Sequence, residues 1–152
     1  MTSKSPVLNC LEFFQKAVPN TGSKNIHTQL GVHLEEVGEM LEEISAVDEH
    51  TVAKLFVARE ALRLLANHLK SNDSIIRIRD DNRFGYLDAI CDQMVTAIGC
   101  AHMMGFDIAG AFDEVNRSNL SKFDEAGQPI FDENRKIMKG PNYSPANLEP
   151  FV

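Results

Sequence analysis

The sequence lacks tryptophan, and its 152 residues include only two tyrosines. It also has few basic residues, with 15 Lys and Arg against 22 Asp and Glu and a formal net charge of −7. A nucleic-acid polymer must be met by Lys and Arg, so this balance argues against a general nucleic-acid binder. An acidic chain suits an anionic substrate only where something adds positive charge locally, and a bound metal ion is the usual means.

Long apolar runs are absent as well. No uninterrupted apolar stretch approaches the length of a bilayer span, and Glu12 and Lys16 interrupt any signal-peptide core near the beginning. The three cysteines, Cys10, Cys91 and Cys100, form no metal-type pair, which indicates reduced thiols. Their apolar neighbours favour buried structural positions. We therefore expect a cytoplasmic protein with no membrane partner.

Apolar residues recur at helical spacing as far as about residue 123. The chain has the size of one domain, and its hydrophobic fraction of 43% is ordinary for a globular protein. Steps of three and four residues predict five helices, with Ser5, Thr51 and Asp107 as caps of the first, third and fifth. Their approximate ranges are 6–18, 28–46, 51–68, 81–104 and 108–122. Five amphipathic helices with few aromatic residues often complete their core by pairing with another copy, so we expect a homo-oligomer.

The pattern changes after Phe123. Residues 127–131 and 136–139 flank a polar turn, which predicts a small β-hairpin, and residues 140–145 read as an irregular tail. The sequence therefore predicts an all-α fold with a helical domain at 1–123. A short hairpin and tail at 124–152 would pack on the same domain or on a neighbouring subunit.

Five glutamates of the second predicted helix share one side. At 100° per residue they fall opposite Val37 and Leu41. A solvated helix face usually interleaves lysine, because like-charge neighbours cost about 0.2–0.5 kcal/mol per pair. Here seven carboxylates stand between Lys24 and Lys54 without a single Lys or Arg. A hard divalent cation held between the carboxylates explains this pattern better than a solvated face does. The five glutamates are Glu35, Glu36, Glu39, Glu42 and Glu43.

A second acidic pair lies on the fourth predicted helix. Asp88 and Asp92 are four residues apart, so they share a face that borders the apolar residues Leu87 and Ile90. Partly buried carboxylates without a nearby base need a partner, and both aspartates lie too far into the helix for its dipole to supply one. Two antiparallel acidic helices that face each other would make an oxygen-lined site for Mg²⁺ or Mn²⁺.

The segment E-E-V-G-E at residues 35–39, followed by an acidic pair on a later helix, resembles a known motif. The MazG-like superfamily of all-α nucleoside triphosphate pyrophosphohydrolases carries E-E-x-x-E, a spacer, and then E-x-x-D. That superfamily includes MazG proteins, phosphoribosyl-ATP pyrophosphohydrolases and dimeric dUTPases. The resemblance spans about residues 30–123, and residues 115–122 and 139–143 look like the bacterial and phage phosphoribosyl-ATP-pyrophosphohydrolase-like branch. This chain departs from the motif in a longer spacer and in D-x-x-x-D, with Gly85 and Ala89 where the motif has glutamate.

The resemblance implies a four- to five-helix MazG-like bundle in a bacterial or phage-encoded protein. It also implies a Mg²⁺-dependent enzyme, with Mn²⁺ as a substitute, that cleaves a (d)NTP to (d)NMP and pyrophosphate by water attack on the α-phosphate. By this resemblance Glu36, Glu39, Asp88 and Asp92 would hold the metal ions. Glu35 would orient or deprotonate the attacking water. A metal cluster of this kind neutralises a triphosphate and activates a bound water.

Basic residues near the end of the fifth predicted helix are candidates for phosphate contact. Asn119 and Lys122 match an Asn-x-x-Lys of the family that contacts phosphates, often across a subunit boundary. A basic helix C-terminus that complements the helix dipole is the structural alternative. Lys136 and Lys139 could close over a ligand or merely be solvated, and Tyr143 is a further candidate for substrate contact.

The first helix offers candidates for nucleobase recognition. Phe13 could stack on a base and the amide of Gln15 could read its edge, while we expect Phe14 in the core. Two other functions stay open beside an NTP pyrophosphohydrolase that works as a homodimer or a dimer of dimers. One is a helical metal-binding or interaction module without catalysis, which the missing motif glutamate favours. The other is a phosphoribosyl-ATP pyrophosphohydrolase, against which the extra C-terminal segment counts.

Overall fold

The structure, a computed structural model, describes residues 5–133 and 135–152 of the chain. Over these residues it is all-α, which confirms the predicted class of the core. Two single turns of 3₁₀ helix, Asp80–Asn82 and Glu149–Phe151, accompany the longer helices. The α-helices are α1 (Pro6–Ala17), α2 (Ser23–Glu42), α3 (Glu49–Ser71), α4 (Arg83–Met103) and α5 (Ile108–Leu120).

The described chain divides into two compact units. Unit 1 contains α1, α4 and α5, formed by residues 5–19, 78–130 and 137–152. Unit 2 contains α2 and α3, formed by residues 20–77, 131–133 and 135–136. The candidate carboxylates of α2 therefore belong to unit 2, and those of α4 belong to unit 1.

Polar caps set where three of the helices begin. The Ser5 hydroxyl accepts a hydrogen bond from the backbone N–H of Leu8, and the Asp107 carboxylate accepts one from Gly110, as predicted. The predicted cap of α3 is wrong, because Asp48 takes that role. Its carboxylate accepts from the backbone N–H of Thr51 at 2.9 Å and from the Thr51 hydroxyl at 2.7 Å. An aspartate three residues earlier satisfies the orphan N–H groups of the first turn, so α3 begins before Thr51.

Unit 2 is built on a close crossing of α2 and α3. A Cβ atom added to Gly31 would lie 2.8 Å from the carbonyl oxygen of Ala66 and 2.7 Å from Cγ of Lys70. Ala66 is buried against this point, and Leu69 is buried one turn further along α3. The missing side chain of Gly31 therefore lets the two backbones approach and sets which face of α2 meets α3.

A buried histidine ties the segment after α3 to α2. His27 is 1% exposed, and its Nδ1 lies 2.8 Å from the carbonyl oxygen of Ser23. Its Nε2 accepts hydrogen bonds from the backbone N–H groups of Ile75 and Ile76, both at 3.1 Å. A carbonyl oxygen can only accept and a backbone N–H can only donate, so the ring is neutral with its proton on Nδ1. The short β-branched stretch 75–78 forms neither helix nor strand, and its first residue lies in a bend.

Unit 1 packs α1 against α5 around a small aromatic core. Phe13, Ala17 and Phe123 are its buried apolar residues, and the rings of Phe13 and Phe123 stack with centroids 5.3 Å apart. Asn116 of α5 donates a hydrogen bond of 2.9 Å to the carbonyl oxygen of Pro6. Phe14 packs at the edge of this cluster, as expected.

The fourth helix differs from the rest. None of its residues is buried. Phe84 is 83% exposed, Leu87 63% and Val95 67%. Cys91 and Cys100 are also exposed, so their predicted burial is wrong, and the apolar residues around them on α4 are exposed as well. Cys10 is half-buried, and burial raises the pKa of its thiol.

The predicted C-terminal β-hairpin is wrong. Residues 124–133 and 135–152 contain no strand and form turns instead. The Asp124 carboxylate closes the first turn by accepting from the backbone N–H groups of Ala126 at 2.9 Å and Gln128 at 2.7 Å. Pro129 then offers no backbone donor for a ladder. Across the predicted turn, the backbone N–H of Met138 donates to the carbonyl oxygen of Ile130 at 2.7 Å and that of Asp132 to the carbonyl oxygen of Lys136 at 3.0 Å, which makes an isolated bridge and not a ladder. These features leave too few regular residues for paired strands.

A helix that crosses a membrane must be both long and apolar. In the part of the chain that the structure describes, no single helix is long and apolar enough to cross a membrane. One helix pair, Asp80–Met103 with Ile108–Leu120, passes the length and composition test only when taken together, and it is bent by 118°.

Candidate active site

The acidic side of α2 presents two carboxylates that carry no internal partner. Glu36 and Glu39 are exposed, and neither makes a hydrogen bond or ion pair with residues 5–133 or 135–152. They are three residues apart on one helix, so their side chains are neighbours. Two exposed, unpaired carboxylates at this spacing are available to an external cation.

Glu35, immediately before them, is held by two lysines. Lys70 of α3 donates to Oε1 at 2.6 Å, and Lys136 donates to Oε2 at 3.3 Å. The Lys70 side chain is 16% exposed and that of Glu35 30% exposed, so this pair is shielded more than an ordinary surface ion pair. The hydrogen bond from Lys70, with the charge of Lys136, lowers the pKa of Glu35 below its usual range. Glu35 is therefore ionised and fixed in orientation at neutral pH.

A cleft of about 320 Å³ runs between α2 and α3 within unit 2. The α2 wall contributes Glu35, Glu39 and Glu42, and the α3 wall contributes Arg59 and Arg63. Among the described residues, no ion pair joins either arginine to a carboxylate of α2. Glu60 also lines the α3 wall, and its carboxylate pairs with Arg63 at 2.6 Å. The carboxylates of α2 thus share the cleft with both arginines without a direct contact to either.

This arrangement corrects the charge argument drawn from the sequence. No Lys or Arg lies near the glutamates along the chain, but α3 and the turn at 135–136 bring cations to them. Lys70 and Lys136 bind Glu35 directly, while Arg59 and Arg63 stand across the cleft. The sequence singled out Lys136 only as a possible ligand contact. It missed Lys70, Arg59 and Arg63 because the close crossing at Gly31, which sets the register between the helices, has no signature on one helix taken alone.

The second predicted acidic pair, Asp88 and Asp92, lies on α4 in unit 1. Both side chains are exposed, so the expected partial burial is wrong, and neither bonds to another described residue. Within the helix, the Thr96 hydroxyl donates to the carbonyl oxygen of Asp92 at 2.9 Å. Among residues 5–133 and 135–152, the structure brings no three His, Cys, Asp or Glu side chains into a metal-binding group.

The residues predicted to contact phosphates are brought together at the C-terminal end of α5. The backbone N–H of Gly140 donates to the carbonyl oxygen of Lys122 at 2.9 Å. A Cβ on Gly140 would lie 2.5 Å from that oxygen, so only glycine fits. This contact places Lys139 next in sequence to a residue bonded to Lys122, just past the end of the helix that carries Asn119. The Lys139 ammonium lies 4.7 Å from the centroid of the Tyr143 ring, a cation–π contact.

The following tail is fixed along the same helix. Arg117 donates to both carboxylate oxygens of Glu114 at 2.7 Å and also to the carbonyl oxygen of Pro145 at 3.0 Å. Glu114 accepts a further hydrogen bond from the backbone N–H of Asn147 at 2.9 Å. The Arg117 hydrogen bond, with the Asn147 N–H, lowers the pKa of Glu114 to about 2. Arg117 therefore has a structural role in holding the tail.

The two candidates for nucleobase contact on α1 are placed differently. Phe13 is 5% exposed and stacks on Phe123, so in this structure it serves the core of unit 1. Gln15 is exposed and stays a candidate for contact with a ligand.

Comparison with known proteins gives one structural likeness. No family model matches the chain, and no curated protein matches it in sequence. Its backbone is similar to a crystal structure of a "putative NTP pyrophosphohydrolase" from Exiguobacterium sp. 255-15, with a TM-score of 0.60 and 23% sequence identity. The match covers 97% of this chain and 92% of that chain. At this identity the likeness shows that the two chains share a fold.

Proposed function

We propose that the protein is a Mg²⁺-dependent nucleoside triphosphate pyrophosphohydrolase that converts a (d)NTP to (d)NMP and pyrophosphate. The observation that carries this proposal is the acidic face of α2, where the exposed Glu36 and Glu39 adjoin a Glu35 held by two lysines. The shared fold with a protein described as an NTP pyrophosphohydrolase supports it, as does the E-E-x-x-E motif at 35–39.

The donor chemistry at the α2 face fits magnesium. Mg²⁺ prefers oxygen ligands, keeps several waters, and is usually held by one or two carboxylates together with substrate phosphates. Glu36 and Glu39 supply such a pair, and Asp88 and Asp92 of α4 are proposed as the remaining ligands. When bound, the metal neutralises triphosphate charge and lowers the pKa of a bound water.

Glu35 is proposed to orient the attacking water. Lys70 occupies one of its oxygens and Lys136 the other, so the carboxylate has a defined direction. A carboxylate whose pKa is lowered by hydrogen bonding is a weak proton acceptor. Both facts favour an orienting role over proton abstraction. Asn119, Lys122, Lys139 and Tyr143 are proposed to contact the substrate, with Gln15 as a further candidate.

We also propose that the protein acts as a homodimer or a dimer of dimers. The apolar residues of α4 are exposed along the whole helix, including Phe84, Leu87 and Val95. Monomeric proteins rarely leave so extended an apolar surface in water. A second copy of the same chain would bury it, as small helical domains often require.

The test is a panel of ribo- and deoxyribonucleoside triphosphates, incubated with the protein and Mg²⁺ and assayed for pyrophosphate. We expect release from at least one nucleotide, none in EDTA, and a loss of about 100-fold or more in Glu36→Gln. Glu43→Gln removes an equally exposed charge at the end of the same helix, so its rate should stay within about twofold.

Two outcomes would overturn the proposal. If divalent ions raise the melting temperature but no nucleotide is consumed, the protein is a non-catalytic metal-binding module. If phosphoribosyl-ATP alone is cleaved, the substrate class is that of a phosphoribosyl-ATP pyrophosphohydrolase.

A further inference from the structure

The α3 wall of the cleft between α2 and α3 carries two arginines, with Glu60 between them in sequence, that the α2 motif does not account for. Arg59 and Arg63 are four residues apart on α3, so both guanidinium groups project from one helix face. They line the same cleft of about 320 Å³ as Glu35 and Glu39. That volume lies within the range of small-molecule sites.

Arg63 is both oriented and available. Its Nε and Nη2 donate to the two carboxylate oxygens of Glu60 at 3.1 and 2.6 Å. A guanidinium carries five N–H donors, so this bidentate pair fixes its plane and leaves three donors for a ligand. Arg59 makes no hydrogen bond with a described residue, so its donors also face solvent or the cleft.

Balancing the acidic helix does not by itself explain the two arginines. Ion pairing with α2 is supplied by Lys70 and Lys136, both of which bind Glu35. In the part of the chain that the structure describes, neither arginine reaches an α2 carboxylate within ion-pair distance. A ligand that occupies the cleft would therefore meet carboxylates on the α2 wall and two guanidinium groups on the α3 wall, one of them already paired with Glu60.

We propose that Arg59 and Arg63 bind the phosphate groups of a polyphosphate chain, so that the α2–α3 cleft is a polyphosphate subsite. A polyphosphate that carries Mg²⁺ matches both walls, because its phosphate oxygens suit guanidinium forks while its cation suits carboxylates. The assignment of this chain to a nucleotide substrate rests on the proposed function, whereas the recognition of polyphosphate by the cleft is tested separately.

The experiment is calorimetric titration of the full chain with inorganic tripolyphosphate in the presence of Mg²⁺. We expect binding by the wild type and about tenfold weaker binding in each of Arg59→Gln and Arg63→Gln. Arg63→Lys should be weakened as well, because a lysine cannot form the bidentate contact. Unchanged melting temperatures would show that the variants are folded.

Arg79→Gln is the matched control. Arg79 is an exposed arginine paired with a neighbouring acid, Asp81, as Arg63 is with Glu60, but it lies outside the cleft. Its affinity for tripolyphosphate should stay within about twofold of wild type. No binding by wild type, or the same affinity in all variants, would overturn the inference.

The outcome is separable from that of the proposed function. Arginine-dependent tripolyphosphate binding without turnover of any nucleotide would refute the pyrophosphohydrolase and keep the subsite. Nucleotide turnover with arginine-independent binding would keep the enzyme and refute the subsite.

Discussion

The two helices that carry the candidate metal ligands contrast sharply in how the fold supports them. α2 is pressed against α3 at Gly31, and its Glu35 is held by Lys70 and Lys136. α4 has no buried residue, and its aspartates have no internal partner among the described residues. The candidate ligands on α2 are therefore supported within their own unit, whereas the candidate ligands on α4 have no such support among the described residues.

This difference indicates that contacts within unit 2 position the side chains of α2, whereas we expect those of α4 to need contacts with a second copy of the chain. A site needs side chains that are held before the ligand arrives, because ordering them on binding costs free energy. Unit 2 meets that condition at Glu35 through hydrogen bonds of its own. The α4 helix is expected to meet it only when a second copy covers its apolar surface. Substitutions in unit 2 and in α4 test the two parts of this contrast separately.

The largest loss of stability is expected on substitution of His27, whose buried ring joins two segments of unit 2. His27→Ala removes the acceptor for the backbone N–H groups of Ile75 and Ile76 and leaves a cavity at a side chain that is 1% exposed. The free energy of unfolding should fall by about 3 kcal/mol. Denaturant unfolding measures it, with His102→Ala on the exposed face of α4 as a control that changes by less than about 0.5 kcal/mol. Equal effects of the two substitutions would contradict the contrast.

The next effect concerns α4 and its expected partner. Val95→Glu places a charge in the apolar surface of α4, so the dissociation constant of the homo-oligomer should rise about 30-fold, or about 2 kcal/mol. Sedimentation equilibrium measures the change. Val47→Glu is the control, because Val47 is 104% exposed in the connection between α2 and α3. A wild type that stays monomeric, or a Val95→Glu variant that associates normally, would refute the role of α4.

The smallest effect tests the close crossing of α2 and α3. Gly31→Ala should destabilise by about 1 kcal/mol, because its Cβ would overlap the Ala66 carbonyl and Cγ of Lys70. Gly38→Ala on the same helix meets only Cβ of Leu62 at 3.9 Å, an ordinary contact. It should stabilise by about 0.5–1 kcal/mol through helix propensity. Thermal unfolding distinguishes the two signs, and matching signs would show that Gly31 does not set the crossing.

Local features of the fold were predictable from sequence, whereas contacts between elements were not. Apolar spacing and the Ser5 and Asp107 caps act within one turn, so five helices could be placed. The hairpin prediction was wrong because it relied on two short β-like stretches. It did not consider the turn that Asp124 closes, or that Pro129 has no backbone N–H to donate. His27 was missed because its partners lie on a segment 48 residues away along the chain.

The candidate site shows the same division. The acidic face of α2 follows from helical spacing alone, so Glu36 and Glu39 could be singled out from the sequence. The cations opposite that face depend on the register between α2 and α3, which a single-helix pattern does not contain. The structure was therefore needed to identify Arg59 and Arg63 as residues that line the cleft.

The most direct test of the central proposal is hydrolysis of the preferred nucleotide in H₂¹⁸O, followed by mass spectrometry of both products. Water attack on the α-phosphate predicts one ¹⁸O atom in the nucleoside monophosphate and none in the pyrophosphate. Label in the pyrophosphate would contradict attack on the α-phosphate. Label in inorganic phosphate, or the absence of any Mg²⁺-dependent product, would contradict the assignment of a pyrophosphohydrolase.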